Sequence, residues 1–96
     1  LNMQTYQLIH KHGYVALTLN EAKVLSFLTL RSPAVAEYHE IMEVLGVDLD
    51  NARQNTLETF MSRLRQKLVG IDESEFTLQN KRSSGYRLTG NVVIMN

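Results

Sequence analysis

Between Asn55 and Leu68 the chain reads NTLETFMSRLRQKL, and between Lys81 and Leu88 it reads KRSSGYRL. These two stretches hold the side chains best suited to binding chemistry. In the first, Leu57, Phe60, Met61, Leu64 and Leu68 recur at the spacing that lines one face of a helix. At about 100° per residue, Asn55, Thr59, Ser62, Arg63 and Gln66 fall on the opposite face. A row of amides, hydroxyls and a guanidinium can donate and accept along base edges and phosphates, so the segment suits a helix in a DNA major groove. Asn55 and Thr56 stand in its first turn, where side-chain donors and free backbone N–H groups can hold a phosphate as well as cap the helix. Arg65 lies roughly 160° around the helix from Arg63. The two cannot share one groove floor, and Arg65 fits a structural ion pair equally well. The second stretch predicts a hairpin with Arg82 at its tip and Lys81 beside it.

Other chemistries find no matching constellation. His10, His12 and His39 lack metal-ligand spacing, and there is no cysteine or clustered carboxylate to complete a site. Glu37, Glu40 and Glu43 stand opposite an apolar stripe, the pattern of a hydrated helix face. No Ser-His-Asp pattern, Gly-rich phosphate loop or zincin motif is present. Neither an enzyme nor a cofactor is expected. The absence of cysteine suits a cytoplasmic protein, and the apolar runs are too short to span a membrane. Leu1 is expected to mark a piece cut from a longer chain.

Formal net charge is zero, which by itself argues against nucleic acid. Its distribution points the other way. Residues 1 to 50 carry three Lys or Arg against six Asp or Glu, net −3, and residues 51 to 96 carry seven against four, net +3. Segregation of this kind orients a domain on DNA, with weaker long-range attraction than a uniformly basic surface gives.

The elements that must position these residues follow from local patterns. Ninety-six residues, 44% of them apolar, make one domain over 1–96 with one modest core. Met3 to Ile9 and Tyr14 to Thr18 are β-prone runs around a turn at His10–Gly13. Thr18 and Glu21 have capping-box spacing, so helix one starts there. Leu19, Ala22, Val24, Leu25 and Leu28 give it a buried stripe, and Ser32-Pro33 ends it. Tyr38, Ile41, Met42 and Leu45 predict helix two from about Ala36 to Leu45, with Gly46 as its left-handed stop. Asp50 or Asn51 caps helix three, and Gly70 follows its end. Phe76 to Gln79 and Tyr86 to Thr89 alternate as a hairpin around Asn80 to Gly85. The tail from Gly90 to Asn96 is long enough for one more strand. The pattern gives it no position.

The pattern N-T-L-x-x-x-x-S-R-L-R-x-K-L, followed by Arg82 three residues before G-Y-R-L, resembles the winged-helix effector domains of OmpR/PhoB-type bacterial transcription regulators. Upstream, Leu17-Thr18-Leu19-Asn20-Glu21 with Val24-Leu25 and Leu28 is similar to the family's L-T-x-x-E-x-x-x-L-x-x-L start of the first helix. The resemblance implies an α+β winged helix-turn-helix with three helices, an N-terminal β-hairpin or small sheet, and a C-terminal β-hairpin wing. It implies sequence-specific binding of double-stranded DNA for transcription regulation, with helix three in the major groove and Arg63 reading bases beside one of Thr59, Ser62 and Gln66. It makes Arg82 the wing arginine of the adjacent minor groove, with phosphate contacts from Asn55, Thr56, Lys67 and Lys81. Tyr86 is expected to pack its ring against helix three with its hydroxyl toward a phosphate. Dimers on DNA through tandem sites or a missing domain belong to the same implication, as does contact with RNA polymerase through Asp48 and Asp50, although the loop here is shorter than in many relatives and the two acids also suit solvated capping. So does a cytoplasmic location, either free or as the cytoplasmic part of a membrane-tethered, ToxR-like regulator. The tip departs from the commoner family form, because R-G-x-G-Y is R-S-S-G-Y here. With the zero net charge, that departure keeps a rival open: a winged helix that binds protein and has little affinity for DNA.

Overall fold

The computed structural model describes residues 1–46, 54–69, 71, 76–81, 84–90 and 92–95, without the side chains of 54–56. Along the chain run β1 (Gln7–His10), β2 (Gly13–Ala16), α1 (Leu19–Arg31), β3 (Ala36–Glu37), α2 (Tyr38–Leu45), α3 (Gln54–Lys67), β4 (Phe76–Lys81) and β5 (Gly85–Gly90).

The first hairpin is shorter than the β-prone runs on either side of its turn. β1 and β2 pair antiparallel from Gln7↔Ala16 to His10↔Gly13. Residues ahead of Gln7 are turns, because the Asn2 side-chain oxygen accepts from the Gln4 and Thr5 backbone N–H groups at 2.8 and 3.2 Å. Tyr6 then takes a positive φ of 55°, which an extended strand does not allow. The tail from Val92 to Ile94 forms no regular strand. Met95 makes a parallel bridge to Asn2 instead.

α1 begins with a complete capping box. Glu21 N–H donates to Thr18 Oγ1 at 3.2 Å, and Thr18 N–H donates to Glu21 Oε1 at 2.8 Å. The helix stops at Ser32, whose hydroxyl donates to the Leu88 carbonyl at 2.6 Å and so ties the end of α1 to β5. Ala22, Val24, Leu25 and Leu28 are buried. Leu19, expected in that stripe, is 45% exposed.

α2 starts two residues later than its periodicity suggests. Ala36 and Glu37 form β3, paired with Tyr86 and Gly85 of β5, in a sheet ordered β3-β5-β4. That pairing is long-range, so nothing in the local pattern announces it. Gly46 closes α2 in the left-handed region with φ 73°, as expected. Gly85 is held for a different reason: a Cβ there would lie 1.9 Å from the Ala36 carbonyl oxygen.

β4 and β5 extend the expected hairpin to a register from Phe76↔Gly90 to Lys81↔Gly85. Phe76, Leu78, Tyr86 and Leu88 face inward and join Leu25, Leu28, Ile41, Leu57, Met61 and Leu64 in one core. Phe60 and Leu68 are only partly buried against it. The expected caps of α3 at Asp50 or Asn51, and its stop at Gly70, lie outside the described residues.

Candidate nucleic-acid interface

α3 divides as its sequence suggests. Leu57, Met61 and Leu64 are between 0% and 2% exposed. Glu58, Thr59, Ser62, Arg63 and Gln66 are exposed and line one shallow depression along the opposite side. At 1.5 Å per residue the 14-residue helix is about 21 Å long, enough to lay this face along a major groove. Among the described residues no ion pair involves Arg63 or Arg65. Both guanidinium groups keep their donors available to that extent, and the ion pair considered for Arg65 is not seen.

The wing lies beside this helix. Ser62, Arg65 and Gln66 share an open groove of about 450 Å³ with Phe76, Thr77 and Leu78 of β4. Inward residues alternate with Thr77, Gln79 and Lys81 on β4 and with Arg87 and Thr89 on β5. Arg87 Nε donates across the pair to Gln79 Oε1 at 2.8 Å, fixing a second cation on the face that carries Lys81. Sequence reading gave Arg87 no binding role; the strand alternation of K-R-S-S-G-Y-R-L was the available signal. Arg82 lies outside the described residues, as do the side chains of Asn55 and Thr56.

The family comparison decides what kind of domain this is. Residues 11–88 match the family model described as "Transcriptional regulatory protein, C terminal". The chain belongs to that OmpR/PhoB-type effector family. Its fold is the α+β winged helix-turn-helix, and its family is one of DNA-binding transcription regulators rather than enzymes. The C-terminal domain of the nisin resistance regulator NsrR, a lantibiotic response regulator, is similar at 30% identity and TM-score 0.73, over 92% of this chain and 88% of that one. The DNA-binding domain of Klebsiella pneumoniae RstA, solved with its RstA box, is 23% identical with TM-score 0.68, over 84% of this chain and 80% of that one. The Bacillus subtilis CssR DNA-binding domain gives 15% identity and TM-score 0.70, over 86% and 90%. Comparison with curated protein sequences found no match.

Within this effector domain, two of the expected contact residues have other partners. Tyr86 is only 3% exposed, and its ring meets Tyr38 of α2 edge-on, with centroids 5.7 Å apart at 70°. The ring therefore meets α2, within the core it shares with Leu57, Met61 and Leu64 of α3. Burial raises its phenol pKa first of all, and the charges of Tyr38 and Glu58 add to the rise against Arg65. Glu58 and Arg65 of α3 are close enough to act on this buried phenol.

Lys67, the other, reaches back to α1. Its Nζ donates to Glu21 Oε1 at 2.6 Å. Burial on its own would raise the Glu21 carboxyl, but hydrogen bonds from Lys67 and the Thr18 backbone, with the Lys67 charge, outweigh it and hold the pKa below the ordinary value. Thr18, which caps α1, and Asn20 and Glu21 of α1 line an open groove of about 710 Å³ with Thr59, Phe60, Arg63 and Lys67 of α3. The start of α1 thus borders the exposed face of α3, a neighbourhood that local sequence patterns do not reveal. Among the described residues no group of three His, Cys, Asp or Glu could hold a metal, and no helix is long and apolar enough to cross a membrane.

Proposed function

We propose that this effector domain binds double-stranded DNA sequence-specifically, with α3 in the major groove, and so regulates bacterial transcription. The observation that carries the reading is the exposed row Thr59, Ser62, Arg63 and Gln66, set on a helix whose other side is locked in the core. A rigid helix presents such donors at constant spacing, as base edges require. Arg63 is the base-reading residue, with a neighbour from Thr59, Ser62 and Gln66. Lys81, Asn55 and Thr56 hold phosphates, and Arg82 enters the minor groove from the wing, drawn by its negative potential. The RstA domain solved with its DNA box supports this reading by likeness of fold.

One domain contacts few base pairs, so two copies on tandem half-sites, or a tethering domain, supply the remaining specificity. Family resemblance supports contact with RNA polymerase through Asp48 and Asp50, which suit solvated capping as well, and with the absence of cysteine it supports a cytoplasmic site of action.

Selection from randomised duplex DNA at about 150 mM salt tests the proposal, because nonspecific phosphate attraction is already weak there. Enrichment of a motif, especially two repeats about one helical turn apart, is the expected result. Failure to enrich any motif, with affinity negligible and flat in salt, would favour a protein-binding winged helix. Zero net charge supports that second reading.

A further inference from the structure

We propose that Glu21 and Lys67 form a clasp that sets the orientation of α3 in the domain, making Lys67 a positioning residue for DNA binding and not a phosphate ligand. The consequence for DNA rests on the function proposed above. The clasp itself rests on geometry.

Glu21 is the buried charged residue of the described core, 5% exposed. A carboxylate taken out of water is costly unless it is paired and hydrogen-bonded. Glu21 meets both conditions by joining two elements: its Oε1 accepts from Thr18 N–H at 2.8 Å and from Lys67 Nζ at 2.6 Å. The first contact belongs to the cap of α1. The second crosses 46 residues to the last residue of α3. Lys67 stands four residues beyond Arg63, so the two are neighbours on one side of the helix. Both line the groove shared with Thr18 and Asn20. Any turn of α3 about its axis that moved Arg63 would pull Lys67 Nζ off Glu21. A lysine whose charge is already matched by a buried carboxylate also has little left with which to release a DNA counterion. The clasp therefore acts on where Arg63 stands and adds nothing to the count of neutralised phosphates.

Glu21→Gln removes the charge while keeping the cap, because glutamine serves at the same position of a capping box. Lys67→Gln removes the cation, and Lys67→Arg keeps it. Affinity for the selected duplex is measured between about 50 and 200 mM salt for the 96-residue chain, these variants and the double Gln variant. The expected result is a loss of roughly three- to tenfold for each single Gln variant with an unchanged salt slope. The double variant should bind within about twofold of either single one, and Lys67→Arg should match the parent. A salt slope reduced by about 0.9 in Lys67→Gln, with parental binding by Glu21→Gln, would make Lys67 a phosphate ligand and overturn the proposal. Should Lys67→Gln fail to fold, Glu21→Gln carries the comparison, because it leaves no buried charge behind. Amide NMR shifts of the free domain provide a readout without DNA. The two Gln variants should shift the same α3 residues from Thr59 to Gln66, whereas changes confined to the replaced residue and its chain neighbours would overturn the clasp. If the parent chain bound no duplex, the DNA-binding reading would fall and the shifts alone would decide the clasp.

Discussion

Arg63 and Glu21 show two ways in which one residue can matter to this domain. Arg63 is exposed and, among the described residues, unpaired, so its expected contribution is to discrimination between bases and little to stability. Arg63→Ala should relax base preference by about 1 to 3 kcal/mol at one position of the selected motif, with an unchanged unfolding midpoint. Binding to a panel of single-base variants checks this, and full preference in the alanine variant would remove Arg63 as the reader. Glu21 acts from inside. Its folded-state pKa lies below the ordinary carboxylate value, so its stabilising contribution is present above about pH 4.3 and is lost as pH falls through the lowered folded value. Urea midpoints measured from neutral pH downward should show a fall in that acid window which Glu21→Gln flattens. Similar pH curves for parent and variant would mean that the pairing with Lys67 does not perturb the carboxyl.

At the scale of elements, local chemistry and long-range pairing can be told apart. The start of α1 is encoded within four residues, since Thr18 and Glu21 satisfy each other's backbone groups. Thr18→Ala should therefore cost about 1 kcal/mol of stability, read from chemical denaturation. The wing answers to different physics. Gly85 lies where β5 passes Ala36 so closely that a Cβ would overlap the backbone, and its φ of 156° adds strain for any other residue. Gly85→Ala should separate β3 from β5 and destabilise the domain by roughly 1 to 3 kcal/mol, more than Gly46→Ala, where a Cβ meets nothing within 4 Å. Comparing the two denaturation midpoints isolates the close approach from the cost of a left-handed glycine. The α1 cap, the α3 stripe and the Gly46 stop were legible because each needs only residues within about one or two turns. β3 was not, since Ala36 and Glu37 are strand only by virtue of Tyr86 and Gly85, about fifty positions away.

Along the sequence, the half that holds α3 and the wing is net +3 and the half before it is net −3. Association with DNA should be strongly salt-dependent though the net charge is zero, because the basic surplus lies in the segments that carry α3 and the wing. A duplex with two half-sites about one turn apart should take up two copies, while a single half-site should bind in the weak, nonspecific range. Sedimentation at two salt concentrations would show this, and one copy on both duplexes would remove the tandem arrangement. By itself the sequence determined the three helices, the α1 cap, the Gly46 stop and which face of α3 is apolar, since these follow from periodicity and short-range motifs, and it carried the motifs by which the chain resembles its family. Only the tertiary structure decided that Tyr86 turns its ring to Tyr38, that Arg87 donates to Gln79, and that Lys67 closes on Glu21. Those pairings join residues from separate elements. Their choice of partner depends on how the helices and the wing pack, which no spacing along the chain records.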